Sequence, residues 1–254
     1  MGVLTLGLWQ QLDEMPTSAP EPAVLDDNTL KVATRVSPNI YYEDELGPSG
    51  FEYMLLENFA ERIDKKLEII TVDNLPELHR KLHKTEVHMA SAGLSVNPEL
   101  NSLQFSQPYL HSRQQVIYRA GSKRPRKIAD LIGFDVLVNT DSNHAKLLEQ
   151  HQQHFPELQW REATKVDYID MLGLIESGTI DYAIVDANEF MLHRSFFPKV
   201  KVAFNLTDEE PIAWAFPEQF ADSDLYRAAN QYLKESTNDG TLAVLTDQVF
   251  GHVG

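Results

Sequence analysis

The stretch ASAGLSVNPELNSLQFSQPY, from Ala90 to Tyr109, decides how the rest of the chain is interpreted. Residues 87–92 have the apolar and small side chains of a buried strand. Gly93 ends that strand at a point where a backbone can come close to a ligand, and Ser95 follows. Pro108 then separates this stretch from the next element. The pattern predicts a buried strand that opens into a loop suited to ligand contact.

Composition narrows the class of protein. The chain has 254 residues, 43% hydrophobic and 24% charged, which suits a globular protein of one large domain or two lobes. Its 22 Lys and Arg residues stand against 38 Asp and Glu residues, and the net charge of -16 argues against binding to nucleic acid or to anionic lipid. Because there is no cysteine, thiol catalysis, thiolate metal sites and disulfides are excluded.

The N-terminal region is predicted to lie outside the fold. Residues 3–9 are apolar but too few to span a bilayer, and they lack the positive flank of a complete secretory signal. We interpret them as the remnant of an export signal or as added sequence. Residues 13–27 contain prolines and several acidic residues, which is typical of a flexible tether. Residues 1–28 are therefore assigned to a flexible tail.

After the tail, strand and helix patterns alternate. Strand patterns at 30–34, 67–72 and 87–92 are separated by helix patterns that begin near Gly50 and Asn74. A glutamate three residues after Asn74 adds the capping-box signature of a helix start. This order predicts a mostly parallel sheet with helices on its faces.

The alternation begins again after Pro108, with strand patterns at 115–119, 134–138, 182–185, 200–204 and 212–216. We therefore predict an α/β protein of two lobes, each a mostly parallel sheet flanked by helices. Lobe 1 comprises residues 29–110 plus 206–251, and lobe 2 comprises residues 111–205. The chain would cross between the lobes near 109–112 and 204–207, which predicts hinge closure over a cleft.

Several short motifs are similar to one family of proteins. They are Thr34-Arg35-x-Ser37-Pro38, Gly50-Phe51-Glu52-Tyr53, Arg124-Pro125-Arg126, Phe197-Pro198 and Asp239-Gly240-Thr241-Leu242, together with the opening stretch. With these motifs, residues 30–251 resemble the periplasmic solute-binding proteins of family 3, which bind polar amino acids. Within that family they resemble the amino-terminal module of the membrane-bound lytic murein transglycosylases F. The resemblance implies a type II periplasmic binding protein fold with two hinge crossings.

The resemblance also implies a function. The chain would be the periplasmic, ligand-binding regulatory module of a peptidoglycan lytic transglycosylase, with a small amino-acid- or muropeptide-like ligand between its lobes. A C-terminal catalytic domain would follow in the intact protein, which would be anchored in the outer membrane. The chain itself has no catalytic constellation, because neither Glu176-Ser177 nor Glu235-Ser236 is followed by the tryptophan of the family's catalytic motif. No cofactor, metal, nucleic acid or membrane contact is expected of this segment.

Ligand contacts are expected outside the carboxyl ends of the strands. That rule and the resemblance select Arg35, Ser37, Tyr41, Gly93, Leu94, Ser95, Ser142, Asn143, His144 and Asp186. One position departs from the family, because Leu100 stands where an arginine usually binds the ligand's carboxylate. Arg35 could supply this cation, or it could pair at the surface with Glu43 or Glu45.

Other candidate residues also have two interpretations. Ser142 and Asn143 would cap a helix, and the free N–H groups at that helix end would also attract a carboxylate. Asp186 matches the family acid that accepts a ligand's α-ammonium group, or it caps the helix that follows. Trp214 could form a wall of the ligand site, although a place in the core is the better interpretation.

Two pairs of histidines have a spacing that could bind zinc, His79 with His83 and His151 with His154, but we interpret all four as solvent-facing. Two other functions remain open. The chain could be a free substrate-binding protein of an ABC transporter for a polar amino acid. It could also be a small enzyme on the same scaffold, for which Asp186 with His144 is the one acid–base pair that the sequence offers.

Overall fold

The structure of the protein is a computed structural model that describes residues 28–96, 102–140, 142–164, 166 and 168–251. Of the predicted tail at 1–28, residues 1–27 lie outside the described residues, as does Leu100. Within the described ranges, every helix is too short or too polar to cross a membrane.

The strands are, in chain order, β1 (Thr29–Thr34), β2 (Tyr42–Asp44), β3 (Gly47–Ser49), β4 (Lys66–Thr71), β5 (Met89–Ala90), β6 (Leu103–Phe105), β7 (Leu110–Ser112), β8 (Gln114–Arg119), β9 (Val136–Asn139), β10 (Arg161–Ala163), β11 (Tyr182–Asp186), β12 (Val200–Asn205), β13 (Glu210–Ile212) and β14 (Ala215–Pro217). The helices are α1 (Phe51–Arg62), α2 (Leu75–His83), α3 (Asn143–Gln152), α4 (Tyr168–Ser177), α5 (Ala187–His193), α6 (Asp224–Asn238) and α7 (Thr241–Phe250). Short 3₁₀ helices occur at Ile128–Leu131 and Glu218–Phe220.

The described strands include two mixed sheets of the same design. Sheet 1 has the order β4-β1-β5-β14-β6, and sheet 2 has the order β10-β9-β11-β8-β12. In each sheet four strands run in one direction, because β14 in sheet 1 and β8 in sheet 2 are antiparallel to both of their neighbours. The predicted class, α/β with two mostly parallel sheets flanked by helices, is confirmed.

Helices cover both faces of each sheet, which makes the central strands apolar on both sides. In sheet 1, α1, α6 and α7 enclose one core and α2 encloses the other. In sheet 2, α4 encloses one core and α3 the other. Trp214 lies in the first of these cores with 0% exposure and stacks on Tyr232, so it belongs to the core and is not a wall of the ligand site.

The sequence places α2 through its cap. Asn74 Oδ1 accepts the N–H of Glu77 at 2.9 Å, and Glu77 Oε2 accepts the N–H of Asp73 at 3.1 Å. This reciprocal pattern satisfies N–H groups that the first helical turn leaves without partners. The buried side of the helix is formed by leucines at helical spacing, Leu75, Leu78 and Leu82.

Two segments link the sheets, one between β6 and β8 and the other between β12 and β14. Within them β7 and β13 pair antiparallel, with Leu110 opposite Ile212 and Ser112 opposite Glu210. We call this pair the hinge ribbon. The single strand predicted at 212–216 is wrong, because the chain leaves the hinge ribbon before it joins sheet 1. Between the two strands, Ala213 N donates to Leu94 O and Trp214 N donates to Ser106 Oγ.

Other local predictions need correction. Residues 87–92 contain a strand of only two residues, β5. Between β1 and α1 lies a hairpin of β2 and β3 that the sequence analysis did not anticipate. In α4, Ile169 of the first turn is 45% exposed. Gly178 follows the end of that helix with a φ of +77°, a conformation that glycine adopts without strain.

Candidate functional site

A cavity of about 1070 Å³ lies between the two sheets, and we call it the main cavity. Sheet 1 contributes the loop after β1, with Arg35 and Ser37, and sheet 2 contributes the loop after β9, with Asn139 and Ser142. Glu189 of α5 also lines it. Because the loops come from carboxyl ends of parallel strands, the cavity lies where open α/β sheets bind their ligands.

Arg35 is held at the cavity wall by a backbone carbonyl. Its Nε and Nη2 atoms both donate to Ala92 O, at 3.0 Å and 2.9 Å. Among the described residues no carboxylate lies within ion-pair distance of it, so neither proposed surface partner, Glu43 or Glu45, is engaged. The positive charge of Arg35 instead contributes to lowering the pKa of Asp186 across the cleft.

Ser37 connects the two lobes. Its Oγ lies 2.5 Å from Glu189 Oε1 and 2.6 Å from Asn39 Oδ1. A hydroxyl has one hydrogen, so it cannot donate to both acceptors at once. If Glu189 is protonated, it donates to Ser37 Oγ and the hydroxyl donates to Asn39. Burial and then the charge of Asp186 raise the pKa of Glu189, which favours this protonated form.

Asp186 lies at the tip of β11, immediately before α5. It occupies the N-cap position of that helix but makes no capping hydrogen bond through its side chain. Its Oδ1 lies 3.5 Å from His144 Nε2, and 37% of its side chain is exposed. Burial raises the pKa of Asp186, but the charge of His144 and its hydrogen bond outweigh that effect, and Arg35 adds to them, so the pKa is lowered. The pKa values of Asp186 and Glu189 are thus shifted in opposite directions, and Asp186 keeps its negative charge more readily than Glu189.

Two polar groups in the wall of the main cavity lack partners. Asn139 Oδ1 and Tyr168 Oη are buried and form no hydrogen bond within the described structure. Such groups are costly, about 1–3 kcal/mol each, unless something satisfies them. Ser142 also lines the cavity, but its hydroxyl has hydrogen-bond partners. Its Oγ donates to Asn139 O at 2.6 Å and accepts the N–H of Ala145 at 3.1 Å.

Beneath the cleft, Gly93 lies next to the buried side chain of Glu52. Its φ is +64°, and a Cβ there would lie 3.1 Å from Ile40 Cδ1. Glu52 is 2% exposed and accepts the hydroxyl of Ser91 at 2.5 Å. Burial raises the pKa of Glu52, although hydrogen bonds from Ser91 and Tyr109 and the charge of Arg35 oppose the rise.

A second cavity, of about 370 Å³, lies next to the hinge ribbon, and we call it the hinge-side cavity. Leu94, Ser95 and Asn143, all selected from the sequence, line this cavity and not the main one. Ser95 Oγ donates to Glu210 Oε2 of the hinge ribbon at 2.8 Å.

Four of the sequence-selected residues, Tyr41, Gly93, His144 and Asp186, line neither cavity, and Tyr41 lies furthest from the expected role. It is 7% exposed, its ring packs on Tyr53 at 5.7 Å, and its hydroxyl donates to Glu43. Burial and then this carboxylate raise the pKa of Tyr41 to about 12. The neighbouring Tyr42 lines the main cavity instead. His79, predicted to face solvent, is half-buried in the wall of the hinge-side cavity.

Comparison with known proteins agrees with this architecture. Residues 30–252 match the model of the bacterial extracellular solute-binding proteins, family 3. The chain belongs to this family. The family 3 assignment was predicted from short motifs along the chain, and it is confirmed.

Relatives narrow the assignment within family 3. The chain is 35% identical over 241 residues to membrane-bound lytic murein transglycosylase F of Saccharophagus degradans, and 39% identical over 232 residues to that of Pseudomonas putida (strain W619). The matches cover 94% and 91% of this chain and 48% of each relative. The resemblance to this group is therefore confirmed, and the chain spans about half the length of the curated relatives that it matches.

Solved structures identify the fold of this family 3 member. An ancestral arginine-binding protein bound to arginine aligns with a TM-score of 0.77 at 22% identity, covering 88% of this chain and 99% of that one. The GluR0 ligand-binding core from Nostoc punctiforme in complex with L-glutamate aligns with a TM-score of 0.75 at 24% identity, covering 88% and 100%. The fold is that of the type II periplasmic binding proteins.

The geometry of this family 3 cleft includes acids and neutral polar groups that sequence reasoning missed. Glu189, Asn139 and Tyr168 were not selected, although each lines the main cavity. For Glu189 a signal was present, because it stands three residues after Asp186 in the first turn of a helix, where the two side chains lie on one side. For Asn139 and Tyr168 no sequence signal distinguishes a cavity-lining polar residue from a surface one.

Proposed function

We propose that this chain is a periplasmic ligand-binding module that holds an amino-acid- or muropeptide-like ligand in the main cavity and regulates a lytic transglycosylase of which it forms part. The observation that carries the proposal is the set of polar groups around that cavity. Glu189 lines the cavity, the carboxylate of Asp186 is close enough to raise the pKa of Glu189, and buried Asn139 Oδ1 and Tyr168 Oη have no hydrogen-bond partner in the described structure.

The charges in the cleft favour an ammonium group on the ligand. Asp186 is held ionised by His144 and Arg35, and its side chain is partly exposed, so a ligand can reach it. A charge-assisted hydrogen bond from an ammonium group to this carboxylate is roughly twice as strong as a neutral one. Asn139 Oδ1 is a second acceptor in the cavity wall, and Tyr168 Oη is a donor for a carbonyl or carboxylate.

The size of the cavity supports a ligand larger than a free amino acid. Drug-sized ligands occupy pockets of about 300–1,000 Å³, and the main cavity has about 1070 Å³. Apolar side chains also line the wall, with Val36 on lobe 1 and Ile169 and Phe196 on lobe 2 at exposed positions. A peptide stem of peptidoglycan has the size and the mixed polarity that such a cavity accommodates.

Regulation would follow from the two-lobed construction. A ligand that touches both sheets favours the arrangement in which they are close, and a neighbouring domain can respond to that shift. The relatives that match are named transglycosylases and are about twice as long as this chain, which supports a neighbouring domain of that activity. Their name, "membrane-bound", supports a periplasmic protein, which we propose is anchored in the outer membrane.

The test is a calorimetric and thermal-shift titration with muropeptides of defined stem length and with common amino acids. A ligand at 100 times its Kd adds about 2.7 kcal/mol of apparent stability. We expect Asp186→Asn to weaken binding about tenfold or more, and the exposed acid of α4 in Asp170→Asn to leave it unchanged. The proposal is wrong if no compound of either class binds, or if Asp186→Asn binds as tightly as the parent.

A free transport receptor for a polar amino acid is the second candidate. One observation favours it, since this chain covers 99% of the ancestral arginine-binding protein and so contains all of that fold. The same titration separates the two functions. Submicromolar binding of one free amino acid with no binding of muropeptides would establish the receptor, and the reverse preference would establish the regulatory module.

A further inference from the structure

One region of the chain carries a charge opposite to that of the chain as a whole. Residues 100–129 contain six Arg and Lys residues and no Asp or Glu, although the chain has a net charge of -16. Five of the six fall in the short segment 119–127, which begins at the last residue of β8. The net charge of the chain therefore does not describe the charge of this region.

Sheet 2 brings two more lysines to this segment. Lys201 of β12 pairs with Tyr118 of β8. Lys199 immediately precedes β12, and its carbonyl accepts the N–H of Ala120 at 2.6 Å. We call the exposed cations of this region the basic patch, and they are Lys123, Arg124, Arg126, Lys127, Lys199 and Lys201.

Hydrogen bonds attach the basic patch to lobe 2. The Nε and Nη2 atoms of Arg124 both donate to Ala203 O of β12, at 3.2 Å and 2.8 Å. Tyr182 Oη of β11 donates to the carbonyl of Lys123 at 2.9 Å, and the Nζ of this lysine lies 4.7 Å from the ring centre of Phe134. Because β11 and β12 both belong to sheet 2, the turn that carries the cations is fixed to the core of the lobe.

Ion pairs do not neutralise the basic patch. Among the residues that the structure describes, no carboxylate lies within ion-pair distance of any of the six cations. Asp130 and Glu176 lie nearby, and each accepts a backbone N–H, from Arg126 at 2.8 Å and from Lys199 at 3.0 Å. These two acids offset part of the positive charge, and the remainder is left for an anionic partner.

The basic patch lies at the end of lobe 2 that is opposite the cleft. Gln114, at the start of β8, pairs with Asp186 at the cleft. A strand rises about 3.3 Å per residue, so Arg119 at the end of β8 lies about 17 Å from Gln114. Electrostatic interactions between exposed charges are screened over about 8 Å at physiological salt. The acidic residues of lobe 1 therefore have little effect on the basic patch.

The shape of the basic patch favours a flat partner over a small ligand. The six cations, all of them among the described residues, line neither the main cavity nor the hinge-side cavity. They are instead spread over a turn and the start of a strand. A bilayer that contains anionic lipids presents many negative charges in one plane. Each Lys or Arg near such a surface strengthens binding about fivefold, equivalent to about 1 kcal/mol.

We propose that the basic patch is a docking surface for a bilayer that contains anionic phospholipids. This replaces the expectation, based on net charge, that the segment makes no membrane contact. The contact is electrostatic, so it is reversible and sensitive to salt. Because the basic patch faces away from the cleft and the hinge ribbon, a docked chain can still bind a ligand and close its lobes. The proposal does not rest on the proposed function of the main cavity.

The test is co-sedimentation of the purified chain with vesicles of phosphatidylcholine alone and with vesicles in which about a third of the lipid is phosphatidylglycerol. The neutral vesicles measure any contribution from the apolar residues 3–9. At low salt we expect the chain to bind the anionic vesicles more tightly than the neutral ones. The double variant Arg126→Gln with Lys127→Gln should weaken this binding about 25-fold, because two cations are removed. The control, Lys84→Gln with Lys234→Gln, removes the same charge from exposed positions on lobe 1 and should bind as wild type does.

A second double variant, Lys199→Gln with Lys201→Gln, should also weaken binding about 25-fold, so the test does not depend on the folding of one variant. Unchanged thermal unfolding of both variants excludes a folding defect as the cause. The proposal is overturned if either variant of the basic patch binds the anionic vesicles as wild type does, or if added salt does not weaken that binding. It is also overturned if the chain binds purified peptidoglycan or inorganic phosphate but not the vesicles. Each of these results leaves the proposed function intact, because the basic patch lies outside both cavities.

Discussion

Gly93→Ala tests whether Gly93 packs against Ile40 beneath the cleft, as the structure shows. Alanine at a φ of +64° is in the left-handed region, which costs roughly 1–2 kcal/mol. The new Cβ would lie 3.1 Å from Ile40 Cδ1 and 3.4 Å from Arg35 Nη2. Ile40 is 1% exposed and has little room to yield, and overpacking a core costs about 1–3 kcal/mol. The two costs together predict that Gly93→Ala lowers the free energy of unfolding by about 2–5 kcal/mol.

Gly121→Ala is the matched control. Gly121 has a φ of +90°, and a Cβ there meets nothing within 4 Å, so only the backbone cost of about 1–2 kcal/mol applies. Urea unfolding at pH 7 measures both, with the midpoint changed and the slope unchanged. If the free energy of unfolding falls by the same amount in both variants, Gly93 does not contact Ile40 as described. Ligand affinity should also fall in Gly93→Ala alone, because Arg35 would be displaced.

Two further predictions concern stability. Burial raises the pKa of Glu52 above its usual 4.5, so the folded state binds this proton more tightly than the unfolded state. The protonated side chain therefore stabilises the fold below pH 4.5, and this stabilisation is lost as the pH rises through the folded-state pKa. Denaturation from pH 4 to 8 should therefore show wild type losing stability relative to Glu52→Gln as pH rises, and a constant difference would contradict this assignment. Asn74→Ala should lower the free energy of unfolding by about 1 kcal/mol by removing the cap of α2, whereas Asn238→Ala, at the exposed last residue of α6, should lower it less. Urea unfolding of both variants measures the difference.

The regular elements were predictable because their signals are local. The cap of α2 needs only Asn74, Glu77 and the leucine spacing, all within one helix. The prediction of one strand at 212–216 failed because this apolar run contributes to two strands, β13 of the hinge ribbon and β14 of sheet 1. No local preference shows where one ends and the other begins. Only the long-range bonds from Ala213 and Trp214 to distant loops decide it.

The loops around the cavities were easier to predict than the side chains that line them. The rule on strand ends selected loops that line the two cavities, yet within one loop it chose Tyr41 where Tyr42 lines the main cavity. A shift of one residue in an extended segment turns the side chain to the opposite side. Ser37 and Tyr41 form a backbone bridge that fixes this phase, and such a bridge has no signature in the sequence.

Arg35 is the residue that we expect to bind a ligand's carboxylate, because Leu100 stands where the family resemblance implies an arginine. Its two bonds to Ala92 O use two of the five N–H donors of a guanidinium group and leave three for a ligand. Those bonds also fix the plane of the group, so little side-chain freedom remains to be lost on binding. Asp186 and Glu189 lie within reach of its charge. A ligand with an ammonium group for these acids and a carboxylate for Arg35 satisfies all three, whereas an amine without a carboxylate leaves the guanidinium unused. We therefore expect zwitterions to bind more tightly than the corresponding amines.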